Sequence, residues 1–345
     1  MQDSSIHQLT DCSHTDRCHT DCCHTDCSHT DCSHTDCSHT DCCHTDRCHT
    51  DCSLTDYPVT EGFRASGSPE DYPATEQIRP QLKEGLLWYS FPIFAPFADR
   101  FQAAFSTRLG GVSEGGCASL NLGLSRGDKP EALRENYRRF CRATELPPER
   151  MVLSQQTHTT NILQADASLA GQGLDKPRSY HDIDGLLTRE KQLPLVTFYA
   201  DCTPLLFYAA DKNIAAAAHA GWRGTVADMA GTMVRRLQSL GSQPRHIYAA
   251  IGPSAGPCCY QVDEGTAAYF RRIDPSTLRP DLRVSGRYLA DMWRANYLLL
   301  RRAGLPEENI TVSGLCTLCH GELFFSHRLQ GGERGAMAAM VMLRD

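Results

Sequence analysis

The stretch ADCTPLLFYAADKNIAAAAHAGWRG, residues 200–224, decides the fold. Leu205 to Ala210 is apolar and aromatic, Asp211-Lys212-Asn213 has turn chemistry, and Ile214 to Ala218 is apolar again. That is the pattern of a β-hairpin. Antiparallel pairing about residue 212 sets Leu205 opposite His219 and leaves Cys202 at the same open end. A cysteine and a histidine, the pair best suited to a soft or borderline metal, would meet where a buried scaffold hands over to a loop. Buried cysteines are also common as simple packing, so spacing alone leaves both roles open.

Short apolar runs and helical patterns alternate on either side of the hairpin. AAFSTR (103–108) reads as a strand leading into a Gly-rich loop, and PEALRENYRRFCRAT (130–144) has helical spacing. MVLSQQTH and TNILQA suggest two strands about a turn that carries His158. LPLVTFYAD (193–201) and HIYAAIGPS (246–254) are nearly continuous apolar strands, as expected when both faces are buried. Residues 224–241 predict one amphipathic helix from Thr225 to Gly241, and Leu289–Ala303 another. LFFSHR and GAMAAMVML, near the end, are strand-like. The alternation predicts a mixed α/β fold with helices over central sheets.

The first fifth of the 345 residues is a different kind of sequence. From Asp11 to Asp56 a five-residue unit repeats, as in DCSHTDCSHTD, with His14, His19, His24, His29, His34, His39, His44 and His49 in register. Eleven of the 18 cysteines fall there. A period of five fits neither helix nor strand, and the units hold almost nothing apolar to bury, so residues 1–84, repeat plus linker, are expected to be disordered. Such a tract can scavenge metal ions; its composition fits better an expanded coding repeat or an upstream start codon. Its ten Asp against Arg17 and Arg47 leave −8, while the whole chain is at −7, so the remainder is near neutral. Neither a nucleic-acid surface nor an acidic partner surface is implied. No apolar run approaches the ~20 residues of a membrane helix. The start, MQDSSIHQLT, lacks the apolar core of a signal peptide, and with so many cysteines a reducing cytoplasm is the expected home.

Residues 85–345 are long enough for a sizeable core and are expected to form one large domain, with six histidines and seven cysteines. His246 and Cys141 read as structural. Adjacent cysteines rarely ligate one ion, so Cys258-Cys259 reads as packing, and the single C-x-x-C of CTLC (316–319) is weak evidence for zinc or redox chemistry. His158 shares with Cys202 and His219 a place at a strand-to-loop switch. Two His and one Cys leave a fourth position open, the arrangement of catalytic zinc. Arg108, Arg223 and Arg328 adjoin Gly-rich or strand-end segments and are candidate anion ligands, each weighed against a solvated surface charge.

TRLGGVSEGGCASLNLGLSRGD (107–128), QQTH (155–158), DGLLT (184–188), YADCTPL (199–205), HAGWRGT (219–225), IGPSAGPCCYQV (251–262) and CTLCHGELFFSHR (316–328) come in one order. Together they closely resemble the purine nucleoside phosphorylase/laccase-domain family, whose bacterial members were formerly called polyphenol oxidases. The resemblance covers residues 85–345 and none of the repeat. It implies a single layered α-β-β-α domain and a metal-binding active site that maps to His158, Cys202 and His219. It also implies phosphorolysis of adenosine, inosine and S-methyl-5'-thioadenosine, and adenosine deamination. The chain departs from the family at Thr159, where Gly is frequent, and in RGAMAA, where a GRMA-like ending is usual; Arg334 stands nearest that place.

Three functions compete at this point. The first is the purine nucleoside enzyme, with Zn(2+) as the expected ion, Cu(2+) as the other, and nucleosides and phosphate as partners. The second is a copper-dependent laccase, since two His and one Cys also describe a blue-copper site. A trinuclear oxygen-reducing centre needs many more histidines, typically as H-x-H pairs, and residues 85–345 contain no H-x-H. The third is a cysteine hydrolase acting on an amide such as a cell-wall precursor, with Cys202 as nucleophile and a histidine as base.

Overall fold

The computed structural model describes residues 78–345. The pentapeptide repeat and most of the linker, with the disorder expected of them, lie outside the described residues.

Two six-stranded sheets make up the centre. The first runs β1 (Arg79–Lys83), β2 (Leu86–Ser90), β3 (Phe101–Ser106), β15 (Met337–Leu343), β7 (Leu195–Tyr199), β4 (Val152–Leu153). The second runs β14 (Ile310–Val312), β10 (Ile247–Ile251), β8 (Thr203–Ala209), β9 (Ile214–Ala220), β6 (Gly185–Thr188), β5 (Ile162–Ala165). A small third sheet holds β11 (Gln261–Asp263), β13 (Arg287–Ala290) and β12 (Leu278–Pro280). The helices are α1 (Pro130–Thr144), α2 (Trp222–Val226), α3 (Met229–Ser239), α4 (Glu264–Ile273), α5 (Met292–Arg302) and α6 (His327–Gln330). Among the described residues no helix is long and apolar enough to cross a membrane.

Side-chain alternation along the strands builds the layers. On β8, Leu205, Phe207 and Ala209 join a core with Met233, Val234 and Leu237 of α3 and Trp293 and Leu300 of α5. Leu206 and Tyr208 point the other way, into a core shared with Phe105, Leu195, Tyr199 and Val341 of the first sheet. On β15, Met337, Ala339, Val341 and Leu343 face that same inter-sheet core, while Ala338, Met340 and Met342 meet Tyr137 and Phe140 of α1. A strand buried on both faces has no polar side to show, which is why these segments read as unbroken apolar runs. The result is a helix layer, two sheets and a second helix layer, the α-β-β-α order that the resemblance implies.

β9 shows tertiary context overriding propensity. Its Ala215 to Ala218 run would favour a helix in isolation, yet all seven residues of the strand are buried. Small side chains let β9 lie in the middle of the second sheet with a helix on one face and the other sheet on the other. The hairpin register is one residue tighter than the sequence suggests: Pro204, not Leu205, pairs with His219, and Leu205 pairs with Ala218. Pairing therefore centres between residues 211 and 212, and His219 falls in the odd-numbered set that faces the first sheet.

Three further differences have local causes. The helix expected over 224–241 is two helices, because Asp228 takes φ +63° and caps α3, its carboxylate accepting from the Gly231 N–H at 2.9 Å. A Cβ at Gly231 would lie 2.5 Å from that carboxylate, so the cap needs glycine there. LFFSHR is not a strand: the N–H groups of Leu323 and Phe324 both donate to His320 O, and Ser326 caps α6. Its three consecutive apolar residues all enter the one inter-sheet core, which a strand with alternating faces would not allow. Finally, the first sheet begins at Arg79, ahead of the expected boundary at Gly85. β1 pairs with β2 over five residues, and Pro80 and Lys83 suit an edge strand.

Candidate active site

The chain crosses from the first sheet to the second at β4→β5 and again at β7→β8, and both crossings open onto one mouth. His158 lies on the first crossing and Cys202 on the second, while His219 sits near the end of β9. Their ligand atoms all lie within 4.8 Å of one another. Cys202 Sγ is 3.9 Å from His158 Nε2, and the two imidazoles meet edge to face with centroids 5.0 Å apart. His158 takes φ +67°, a left-handed conformation that histidine adopts more readily than most residues.

Asp184, at the foot of β6 and wholly buried, is the post around which this mouth is built. Its carboxylate accepts from the N–H groups of Thr157, His158 and Thr159, from Thr159 Oγ1 at 2.9 Å, and from His219 Nδ1 at 2.8 Å. One carboxylate thus fixes the turn of one histidine and the ring of the other. With Nδ1 engaged, His219 presents Nε2 to the mouth, the outer-shell arrangement of metal-ligating histidines. Burial would raise the Asp184 pKa, but the His219 partner and the Thr159 and Thr157 N–H groups hold it at about 2. Burial would likewise raise Cys202, but His219 and His158 lower the thiol to about 6. Burial works against charge on His219 too, and Cys202 with Asp184 lifts it to about 9. The two shifts are reciprocal: each of Cys202 and His219 favours charge on the other.

Gly221 floors the trio. A Cβ there would lie 2.8 Å from His158 Cδ2 and 2.9 Å from Cys202 Sγ. Gly221→Ala is accordingly expected to push the ligands apart and weaken metal binding about tenfold or more, with the fold intact. Metal titration beside far-UV circular dichroism checks this; unchanged affinity would show that the floor yields. Two imidazoles and one thiolate, with a cradle that a methyl group would fill, fit a borderline divalent ion with one open position.

A cavity of about 310 Å³ extends from the trio. Its wall includes His158, Cys202 and His219, with Gln155, Phe198 and Tyr199 from the first-sheet side and Arg126, Arg178 and Arg334 around it. Arg126 arrives on the Gly-rich loop, which Asn136 of α1 pins by donating to Ser119 O and Asn121 O and accepting from Val112 N. Arg178 Nε donates to Leu153 O. Arg334 is buried; Nη1 donates to Gly335 O, whereas Nε has no partner among the described residues. Burial, with Arg126 close by, draws its pKa down to about 10, against the opposite pull of Asp201 and Cys202.

The three arginines nominated from the sequence lie elsewhere around the site. Arg108 donates to Ala118 O and Gly321 O and stacks 4.7 Å over Phe325. Arg328 donates to Gln261 O and lies over Tyr260, and Arg223 lies over Trp222. Burial chiefly raises the Tyr260 hydroxyl's pKa, and Cys202, Arg328, Asp201 and Arg223 act on it as well; none of the three nominated arginines belongs to the cavity wall. Sequence reasoning passed over Asp184, Gly221, Arg126 and Arg178. Asp184 opens the quoted motif DGLLT, and an acid at the head of a buried apolar strand was its one available signal. The sequence also reads Cys258-Cys259 as packing and Cys316 with Cys319 as weak evidence for zinc or redox chemistry, and the structure brings all four together.

A family model described as "Multi-copper polyphenol oxidoreductase laccase" matches residues 102–344, and the chain belongs to that family. Among curated relatives, purine nucleoside phosphorylase YlmD of Geobacillus stearothermophilus is 40% identical over 254 residues, 72% of this chain and 92% of the relative. A purine nucleoside phosphorylase of Bacteroides thetaiotaomicron is 34% identical over 242 residues, 69% of this chain and 90% of the relative. The crystal structure of YlmD from Geobacillus stearothermophilus superposes with a TM-score of 0.70 at 36% identity, covering 77% of this chain and 99% of that one.

Proposed function

We propose that the chain is a metal-dependent purine nucleoside phosphorylase acting on adenosine, inosine and S-methyl-5'-thioadenosine, with adenosine deamination as a second reaction of the same site. In phosphorolysis a phosphate oxygen bonds to the sugar's anomeric carbon, the glycosidic bond breaks, and the purine leaves with that electron pair and a proton. The products are free base and (methylthio)ribose 1-phosphate. His158, Cys202 and His219 would hold the ion, zinc in preference to copper. A zinc ion so held supplies Lewis acidity and a hydroxide available near neutral pH. The observation that carries the reading is Arg334: a buried guanidinium whose Nε has no partner among the described residues, on the wall that also carries His158, Cys202 and His219. That combination suits a small anion beside a metal. Arg108, Arg223 and Arg328 are proposed to hold the substrate's outer parts.

The test is a nucleoside panel with and without phosphate on metal-quantified protein, analysed for free base and ribose 1-phosphate. Base release that needs phosphate supports the reading; none at full zinc loading overturns it. Arg334→Met should raise the KM for phosphate about 10- to 100-fold, the worth of one or two charge-assisted hydrogen bonds, with a smaller change in nucleoside KM. Equal changes in both would place Arg334 in the fold rather than on phosphate.

One observation favours a second reading. Asp184, His219 and Cys202 stand in the order orienter, base and nucleophile, with the thiol pKa low, as a cysteine amidase requires. Copper oxidase chemistry finds less support. Among the described residues the one histidine-bearing metal group has three ligands, and the other group has cysteines alone.

A further inference from the structure

We propose that Cys258, Cys259, Cys316 and Cys319 bind a second zinc ion as a closed, four-thiolate structural site. The four sulfurs come from two loops: Cys259 and Cys319 are 60 positions apart. Yet all four Sγ atoms lie within 4.8 Å of one another, with Cys319 Sγ 3.4 Å from Cys258 Sγ and 3.5 Å from Cys259 Sγ. None of them is in a disulfide. Tetrahedral zinc with sulfurs at about 2.3 Å sets them about 3.8 Å apart, so this spacing surrounds a single ion. Ordinary core cysteines such as Cys141 are buried alone among apolar side chains; thiols, as weak donors, gain little from crowding together.

The surroundings suit thiolates. Cys316 Sγ accepts from the Gly256 N–H at 3.2 Å and from the Cys319 N–H, so two backbone dipoles point at one sulfur. Gly256 permits that approach, since a Cβ there would lie 2.7 Å from Trp293 and 3.0 Å from Cys316. No histidine or open position belongs to this group, in contrast with the first site, and four cysteines make a closed, structural set. The ion would staple together the two loops that hold Asp201. Ala255 N donates to Asp201 O on one side, and Thr317 Oγ1 donates to Asp201 Oδ1 at 2.7 Å on the other. Asp201 adjoins Cys202 and takes φ +84°, so the staple supports the corner that carries the first site's thiol.

The test compares zinc content by mass spectrometry in the full chain, in Cys316→Ser/Cys319→Ser and in His158→Ala. The cysteines and histidines of the repeat are the same in every arm and cancel. The double serine variant should hold one zinc fewer than the parent, and His158→Ala a different one. Peptide-mapped alkylation of the zinc-loaded parent should find the four thiols protected until a strong chelator is added; this arm needs no variant to fold. Equal zinc in parent and double variant, iron in place of zinc, free alkylation of the loaded protein, or a disulfide among the four would each overturn the proposal. Loss of the His158 site leaves the expected result here unchanged, so the two sites are judged apart.

Discussion

Cys202→Ala is expected to empty the first metal site and lower phosphorolysis more than about a hundredfold, since even outer-shell partners of a metal are worth 10- to 100-fold. His158→Ala and His219→Ala should do the same, because three protein ligands are the minimum for a catalytic zinc centre. The fold should survive these changes: the trio sits at the mouth between the sheets, and stability resides in the three cores behind it. A pure nucleophile behaves otherwise, with amide turnover abolished and metal content unchanged. Metal quantification beside phosphorolysis and amidase assays separates the cases. Full metal and full phosphorolysis in Cys202→Ala would remove the metal-site reading.

Asp184→Asn should be almost as damaging although the residue is buried behind the cavity wall and not part of it. The carboxylate takes five hydrogen bonds, four from the Thr157–Thr159 turn and one from His219. An amide has one acceptor oxygen, and its NH₂ would face donors it cannot satisfy. Leaving buried groups unpaired, and removing one partner of a buried ionic contact, costs about 3–5 kcal/mol. The expected outcome is a clear fall in thermal midpoint together with metal affinity weakened about 10- to 100-fold. A chelator-competition titration and a melting curve measure the two. A variant that melts lower but binds metal as before would confine Asp184 to the fold.

The local part of this architecture is legible in the residues. Turn chemistry at 211–213 between two apolar runs specifies the β8–β9 hairpin, and the hairpin by itself brings Cys202 near His219. The alternation of apolar runs and helical spacing likewise indicates a mixed α/β core, because a strand's period and a helix's period are properties of a few adjacent residues. Where the reading slipped, the slip was in something a neighbour decides. Nothing in LFFSHR says that three consecutive apolar side chains turn into one core, and Asp228 interrupts a helical pattern only because its carboxylate reaches Gly231.

What the sequence by itself determined, then, is the strand-and-helix alternation and the placement of His158, Cys202 and His219 at or beside strand ends, with a ligand role as one reading of the three. Only the tertiary structure decided what surrounds them. Asp184 is distant in sequence from both histidines it orients, Arg334 Nε is without a partner among the described residues, and the two cysteine pairs converge across 60 positions. The physical reason is one of range. Periodicity and turn chemistry act between neighbours along the chain, whereas a carboxylate's partners, a guanidinium's solvation and a thiol cluster are set where segments distant along the chain meet.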